Sequence, residues 1–255
     1  MTSARLKDRV ALITGASRGI GRAVALAFAR EGAHVLLLAR SRKALEEVDD
    51  QVKADGGKGS LVPLDLADGK AIDALGPTLY ERFGRLDVLV GNAAILGRLT
   101  PLTHMPSEHW ERALAINLTA NWRLIRTLDP LLRRSDAGRV IFVTSGVARS
   151  ARAYWAPYSV TKAALETLAQ TYADETADSP IKVNIIDPGA TATRMRAEAH
   201  PGEDQGTLRT PEAVAEAFVP LAMPDWLETG EIVDAWKAIS RPWSAPGRHR
   251  LARRR

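Results

Sequence analysis

A chain of 255 residues is long enough for one large domain with a substantial core, and its 45% apolar and 25% charged content is ordinary for a globular protein. It has no cysteine, which excludes disulfides, thiolate metal sites and a cysteine nucleophile, and no apolar run approaches the length of a membrane span. The formal net charge of +5 belongs to the end of the chain, because residues 241–255 hold six arginines and no acid, and without them acids and bases nearly balance.

That end is broken by Pro242, Pro246 and Gly247. It reads as a solvated tail beyond a domain spanning residues 1–240, rather than as a contact for nucleic acid or anionic lipid. Met1 to Arg9 is polar and runs into a strand-like stretch, so no signal peptide is expected and the expected setting is cytoplasmic.

In chain order, Val10 to Thr14 is a short apolar run of the kind that forms a strand buried on both faces. A glycine-rich turn leads to a helical pattern from Ile20 to Arg30, with Gly32 at the stop. His34 to Ala39 is the second strand. Ser41 is placed to cap a helix carrying Leu45, Val48 and Val52, which ends at Gly56 and Gly57. Ser60 to Leu64 is a third strand, and its Pro63 predicts an edge position. A helix through Ile72, Leu75, Leu79 and Phe83 precedes a fourth strand, Leu86 to Val90.

Ser107 opens one long predicted helix through Asn117 towards Leu132, and Arg139 to Thr144 is the fifth strand. The helix containing Tyr158 follows, then a sixth strand from Ile181 to Ile186. The stretch from Ala190 to Arg209 reads as irregular, Thr210-Pro211-Glu212 as a capped helix start, and Glu231 to Ala235 as a last strand. Alternating strands and helices predict an α/β fold: a single doubly wound, Rossmann-like domain with a parallel seven-stranded sheet and helices on both faces.

Two stretches carry chemistry. Thr14-Gly15-Ala16-Ser17-Arg18-Gly19-Ile20-Gly21 sits directly after the first buried strand. There glycines let the backbone approach a pyrophosphate, and a helix start offers unpaired N–H groups. Tyr158 and Lys162 stand four residues apart, on one helix face. A lone phenol titrates at a pKa of about 10, and a neighbouring ammonium would lower it into the range of a useful acid and base. The five histidines show no ligand spacing, so no metal is expected.

With these motifs in this order, the chain resembles the short-chain dehydrogenase/reductase family over roughly Leu6 to Ala238. The family's glycine motif matches Thr14, Gly15, Gly19 and Gly21; its Tyr-x-x-x-Lys matches Tyr158 and Lys162; its serine falls on Ser145 and its helix asparagine on Asn117. Its Asn-Ala-Gly becomes Asn92-Ala93-Ala94, with alanine for glycine, and its Pro-Gly is Pro188-Gly189, followed by Thr191 and Thr193.

The resemblance implies an enzyme that interconverts a small-molecule carbonyl and an alcohol by hydride transfer. Tyr158 would exchange the proton, Lys162 would hold the nicotinamide ribose and lower the tyrosine pKa, Ser145 would bind the substrate oxygen, and Asn117 would hold a relay water. It also implies a homo-oligomer, a tetramer or dimer, through the long helices. Asp65 and Leu66 resemble the family's adenine-contacting pair. The second strand ends in Ala39-Arg40-Ser41-Arg42, with no acid before Glu46, so Arg40, helped by Arg18, is read as pairing with a 2′-phosphate: NADP(H) rather than NAD(H).

Residues 95–106, 146–156 and 190–209 are expected to frame the substrate pocket, the last as a lid; Tyr154 and Trp155 are read either as pocket walls or as plain packing, and Arg149 and Arg152 either as groups that could attract an anionic substrate or as solvated loop arginines. The rival reading is a dinucleotide-binding regulator without turnover, its arginine-rich tail docking a partner or nucleic acid.

Overall fold

The computed structural model describes residues 4–150 and 152–240, so the tail predicted from Arg241 onward lies outside the described residues. The strands are β1 (Val10–Thr14), β2 (His34–Ala39), β3 (Lys58–Pro63), β4 (Val88–Gly91), β5 (Arg139–Val143), β6 (Lys182–Asp187) and β7 (Ile232–Asp234). They form one sheet in the order β3-β2-β1-β4-β5-β6-β7, and every ladder is parallel. The order reverses beside β1, so the turns after β1 and β4 diverge there and open a crevice. Pro63 does lie on an edge strand, as its missing donor requires.

The helices are α1 (Gly19–Arg30), α2 (Arg42–Ala54), α3 (Gly69–Phe83), α4 (Ser107–Leu114), α5 (Ala120–Leu132), α6 (Ala156–Glu175), α7 (Arg194–Ala199), α8 (Pro211–Ala215), α9 (Phe218–Ala222) and α10 (Ala235–Ser240). Alternate strand residues feed two cores, as the two-residue period of a strand dictates. Ala11, Ile13, Val35 and Leu37 pack with Val24 and Phe28 of α1, Val48 of α2 and Phe218 of α9. Leu12, Leu36 and Leu38 pack with Ile72 and Leu75 of α3, Leu124 and Leu128 of α5 and Leu165 of α6.

The predicted caps are present: Ser41 Oγ accepts from the Ala44 N–H at 3.3 Å, and Thr210 Oγ1 from Ala213 at 3.2 Å. Gly32 closes α1 in the left-handed region at φ +88°.

Two expectations are refined. The helix from Ser107 does run on to Leu132, but its ladder widens at a π-helical turn, Ala115–Thr119, which lies between α4 and α5 and carries Asn117. Buried polar bonds made by Asn117 hold that turn open, a cause that apolar periodicity does not reveal. The stretch after β6 is also less irregular than expected, because Thr193 caps α7 and Thr191 bridges to Arg209.

Candidate active site

The carboxyl ends of the strands border a cavity of about 1120 Å³. Its floor begins with the β1–α1 turn, where Gly15 (φ +69°) and Gly19 (φ +55°) adopt left-handed conformations that side chains resist. A Cβ on Gly21 would stand 2.3 Å from the Gly15 carbonyl oxygen, so glycine there lets the helix start seat on the turn. Ser17, Arg18, Gly19 and Ile20 line the cavity, while Gly21 stands behind it.

The α1 start has no side-chain cap and no acid in its first turn, whereas side chains cap α2, α3, α7 and α8. The first N–H groups of α1, beside the positive end of its dipole, are thus left for an anion in the cavity.

Thr14 ties this turn to the next strand. Its hydroxyl donates to the Val90 carbonyl at 3.2 Å and accepts from the Asn92 and Ala93 N–H groups at 2.9 and 3.0 Å. Asn92 Nδ2 donates back to the Thr14 carbonyl at 2.9 Å. Asn92, Ala93 and Ala94 line the centre of the cavity, and alanine at position 94 is accommodated at the wall. Arg40, Asp65 and Leu66 line the side beyond β2 and β3; Pro188, Gly189, Thr191 and Thr193 form the wall after β6.

Ser145, Tyr158 and Lys162 meet on the β5–α6 side of the same cavity. Burial pushes the Tyr158 phenol up to about 12, against the opposing pull of the neighbouring Ser145 hydroxyl, and Asp187 adds to the rise. Burial brings the Lys162 ammonium down to about 8. Its Nζ donates to the Val143 carbonyl at 2.6 Å and stands 5.7 Å from the Tyr158 ring centroid. The expectation that Lys162 lowers the phenol is therefore revised for this arrangement: the desolvation cost of phenolate dominates, and Ser145 is the group that offsets it.

Asn117 does not line the cavity. It is fully buried. Its Oδ1 accepts from the Ile95 N–H at 2.8 Å, and its Nδ2 donates to the Ile95 carbonyl at 2.9 Å and to Thr161 Oγ1 at 3.0 Å. Both side-chain amide protons are used, and the Asn117 backbone carbonyl accepts from Asn121 Nδ2 at 2.8 Å. The Asn117 side chain clamps the loop after β4 to α6.

Arg149 and Arg152 are not at the cavity wall. Arg149 bonds Glu166 of α6 and reaches Asp187, at the end of β6, at 2.5 Å. Glu166 also accepts from the Thr144 hydroxyl at 2.6 Å. One guanidinium thus fastens the Ser145 loop to a helix and a strand. Arg152 lies 5.4 Å from the Trp155 ring centroid. Trp155 does line the cavity, edge-on to Tyr158 at 6.3 Å, whereas Tyr154 is 58% exposed and stands outside it.

The loop expected to frame the pocket from Ile95 does line it through Arg98, although Arg98 itself was not singled out; sequence reading missed His109 and Arg112, which also line the cavity and which no motif marks. Among the described residues no group of three or more His, Asp or Glu is placed to hold a metal, and no helix is long and apolar enough to cross a membrane.

The family model for short chain dehydrogenases matches residues 9–204, which include every one of these cavity stretches up to Thr193. The chain belongs to the short-chain dehydrogenase family.

Its relatives within the family include the uncharacterised oxidoreductase YciK of Escherichia coli K12, 35% identical over 246 residues, which span 95% of each chain. A putative short-chain dehydrogenase from Pseudomonas syringae superposes with a TM-score of 0.88 at 40% identity, covering 91% of this chain and 96% of that one. A putative short-chain dehydrogenase from Shigella flexneri, solved in complex with NADP, gives 0.89 at 36% identity, covering 92% and 100%. This short-chain dehydrogenase family member thus shares its sheet and crevice with oxidoreductases over nearly its whole described length.

Proposed function

We propose that the protein is an NADP(H)-dependent oxidoreductase that interconverts a carbonyl and an alcohol, with Tyr158 exchanging the proton. The observation that carries this reading is the meeting of Ser145, Tyr158 and Lys162 in the one cavity onto which the uncapped start of α1 opens. A nicotinamide dinucleotide fits the residues present: the glycine turn and α1 suit a pyrophosphate, Asp65 and Leu66 an adenine, and Arg18 and Arg40 a 2′-phosphate. When bound, NADPH supplies the hydride, and the balance is carbonyl plus NADPH plus a proton giving alcohol plus NADP⁺.

The chain's own groups supply position and the proton. Tyr158, with its phenol pushed up to about 12 by burial, keeps its proton at neutral pH and has it to give to a developing alkoxide. The Ser145 hydroxyl, beside it in the cavity, binds the same substrate oxygen and stabilises the charge building there. Lys162 offers a cation to the ribose side. Asn117 acts by position, fixing the wall that ends in Ile95 and Leu96. The test is a screen of carbonyl compounds followed by NADPH absorbance; a protein that binds NADPH yet reduces none would favour the regulator reading.

Cofactor selection follows from Arg40. Losing one charge-assisted contact costs about 1.5–3 kcal/mol, so Arg40→Ala is expected to raise the KM for NADPH roughly tenfold to a hundredfold while that for NADH changes little. Equal shifts for both nucleotides would remove the role assigned to Arg40.

A pH dependence follows from Lys162. Its ammonium is charged below about pH 8 and loses its proton above it. NADPH is therefore expected to bind more weakly as the pH rises through about 8. Nucleotide fluorescence titrations from pH 6 to 10 measure this, and a flat profile would show that the charge on Lys162 does not hold the nucleotide.

A further inference from the structure

Most arginines among the described residues are spoken for. Arg22 reaches Glu212, Arg123 and Arg126 reach Asp73, Arg194 reaches Glu198 and Arg196 reaches Glu203. Among the described residues, the arginine side chains with no hydrogen-bond, ion-pair or ring partner are Arg18, Arg30, Arg40, Arg98 and Arg112, and all but Arg30 line the one cavity. Unpaired cations have gathered where a ligand goes.

They fall into two groups. Arg18 and Arg40 follow β1 and β2, on the side read above as nucleotide-binding. Arg98 and Arg112 belong to the other side. Arg98 lies in the loop after β4, between two anchors to the start of α6: a Cβ on Gly97 would sit 3.3 Å from Pro157, and the Thr100 N–H donates to the Tyr154 carbonyl at 3.2 Å. Arg112 is on α4, which packs against α6, with His109 one turn earlier on the same face. No acid at the cavity wall is ion-paired with them: Glu198 is held by Arg194, Glu212 by Arg22, and Asp65 follows β3, at the other end of the crevice.

We infer that the substrate carries an anionic group, a carboxylate or phosphate remote from its reacting carbonyl, which Arg98 and Arg112 receive at the mouth of the Tyr158 side of the cavity. This deepens the proposed oxidoreductase reading and rests on it. The arginine forks suit planar or tetrahedral oxyanions, and Leu96 and Trp155 line the same cavity with apolar surface for the body of such a molecule.

The test uses a matched pair, 4-carboxybenzaldehyde and its neutral methyl ester, with NADPH. The expected result is a kcat/KM for the acid about tenfold to a hundredfold above that for the ester, collapsing towards parity in Arg98→Gln/Arg112→Gln. No preference in the wild type, or a preference that persists in the double variant, overturns the inference. A matching loss in NADPH affinity in the double variant, with the preference unchanged, assigns these arginines to the nucleotide and overturns it as well.

If neither aldehyde is reduced, the shared reading of this site is in question, and calorimetry with saturating NADP⁺ decides the anion site separately. Selective binding of 4-(hydroxymethyl)benzoate over its methyl ester, lost in the double variant, upholds the site; equal or absent binding rejects it.

Discussion

Tyr158→Phe is expected to lower kcat for carbonyl reduction by about a hundredfold to ten-thousandfold, the usual share of a positioned proton donor. The substitution removes one oxygen and keeps the ring that packs edge-on against Trp155, so the fold and the cavity wall survive. The phenol is held in its protonated form by burial beside Ser145, and no other phenol is so placed: Tyr80 and Tyr154 are exposed, and Tyr172 donates to Asp129 at 2.8 Å. Turnover by wild type and variant on one reducible carbonyl, with NADPH affinity as the control, measures the effect. Undiminished kcat in the variant would end the proton-transfer assignment.

Asn117→Ala is expected to cost about 3 kcal/mol or more, because a buried polar group stripped of its partner costs about 1–3 kcal/mol. Here the Ile95 N–H and carbonyl lose their partners together, and Thr161 loses a donor. At roughly 2–4 °C per kcal/mol for a chain of this size, the melting temperature should fall by about 10 °C. Thermal denaturation followed by circular dichroism measures it. A fall of less than about 2 °C would mean that the Asn117 clamp contributes little, and that water replaces it readily.

The fold was legible because each strand is an apolar run bounded by punctuation, and buried parallel strands with intervening helices allow few other arrangements. Val10 to Thr14 and His34 to Ala39 were read to the residue. The candidate site was legible wherever chemistry needs a fixed spacing, as in Tyr158 with Lys162 or Gly15 with Gly19. What escaped depends on burial and on distant partners. The rise of the Tyr158 phenol reflects desolvation, which no spacing encodes. Arg149 resembled any loop arginine until Glu166 and Asp187 converged on it from two other elements. Arg98 and Arg112 are marked only by the partners they lack, and that takes coordinates to see.

The π-helical turn at Ala115–Thr119 has an evolutionary consequence. It divides one helical rod into a buried half and a solvent-facing half. Downstream, α5 sinks Leu124, Leu128, Leu131 and Leu132 beneath the sheet, whereas upstream α4 commits only Ala113 to the interior. With Asn117 fastening the joint, exchanges at Glu108, His109 or Arg112 fall on a surface where substitutions usually change stability by no more than about 0.5 kcal/mol. Descendants of this scaffold can therefore acquire new preferences by rewriting one short segment, while the foundation beneath it stays put.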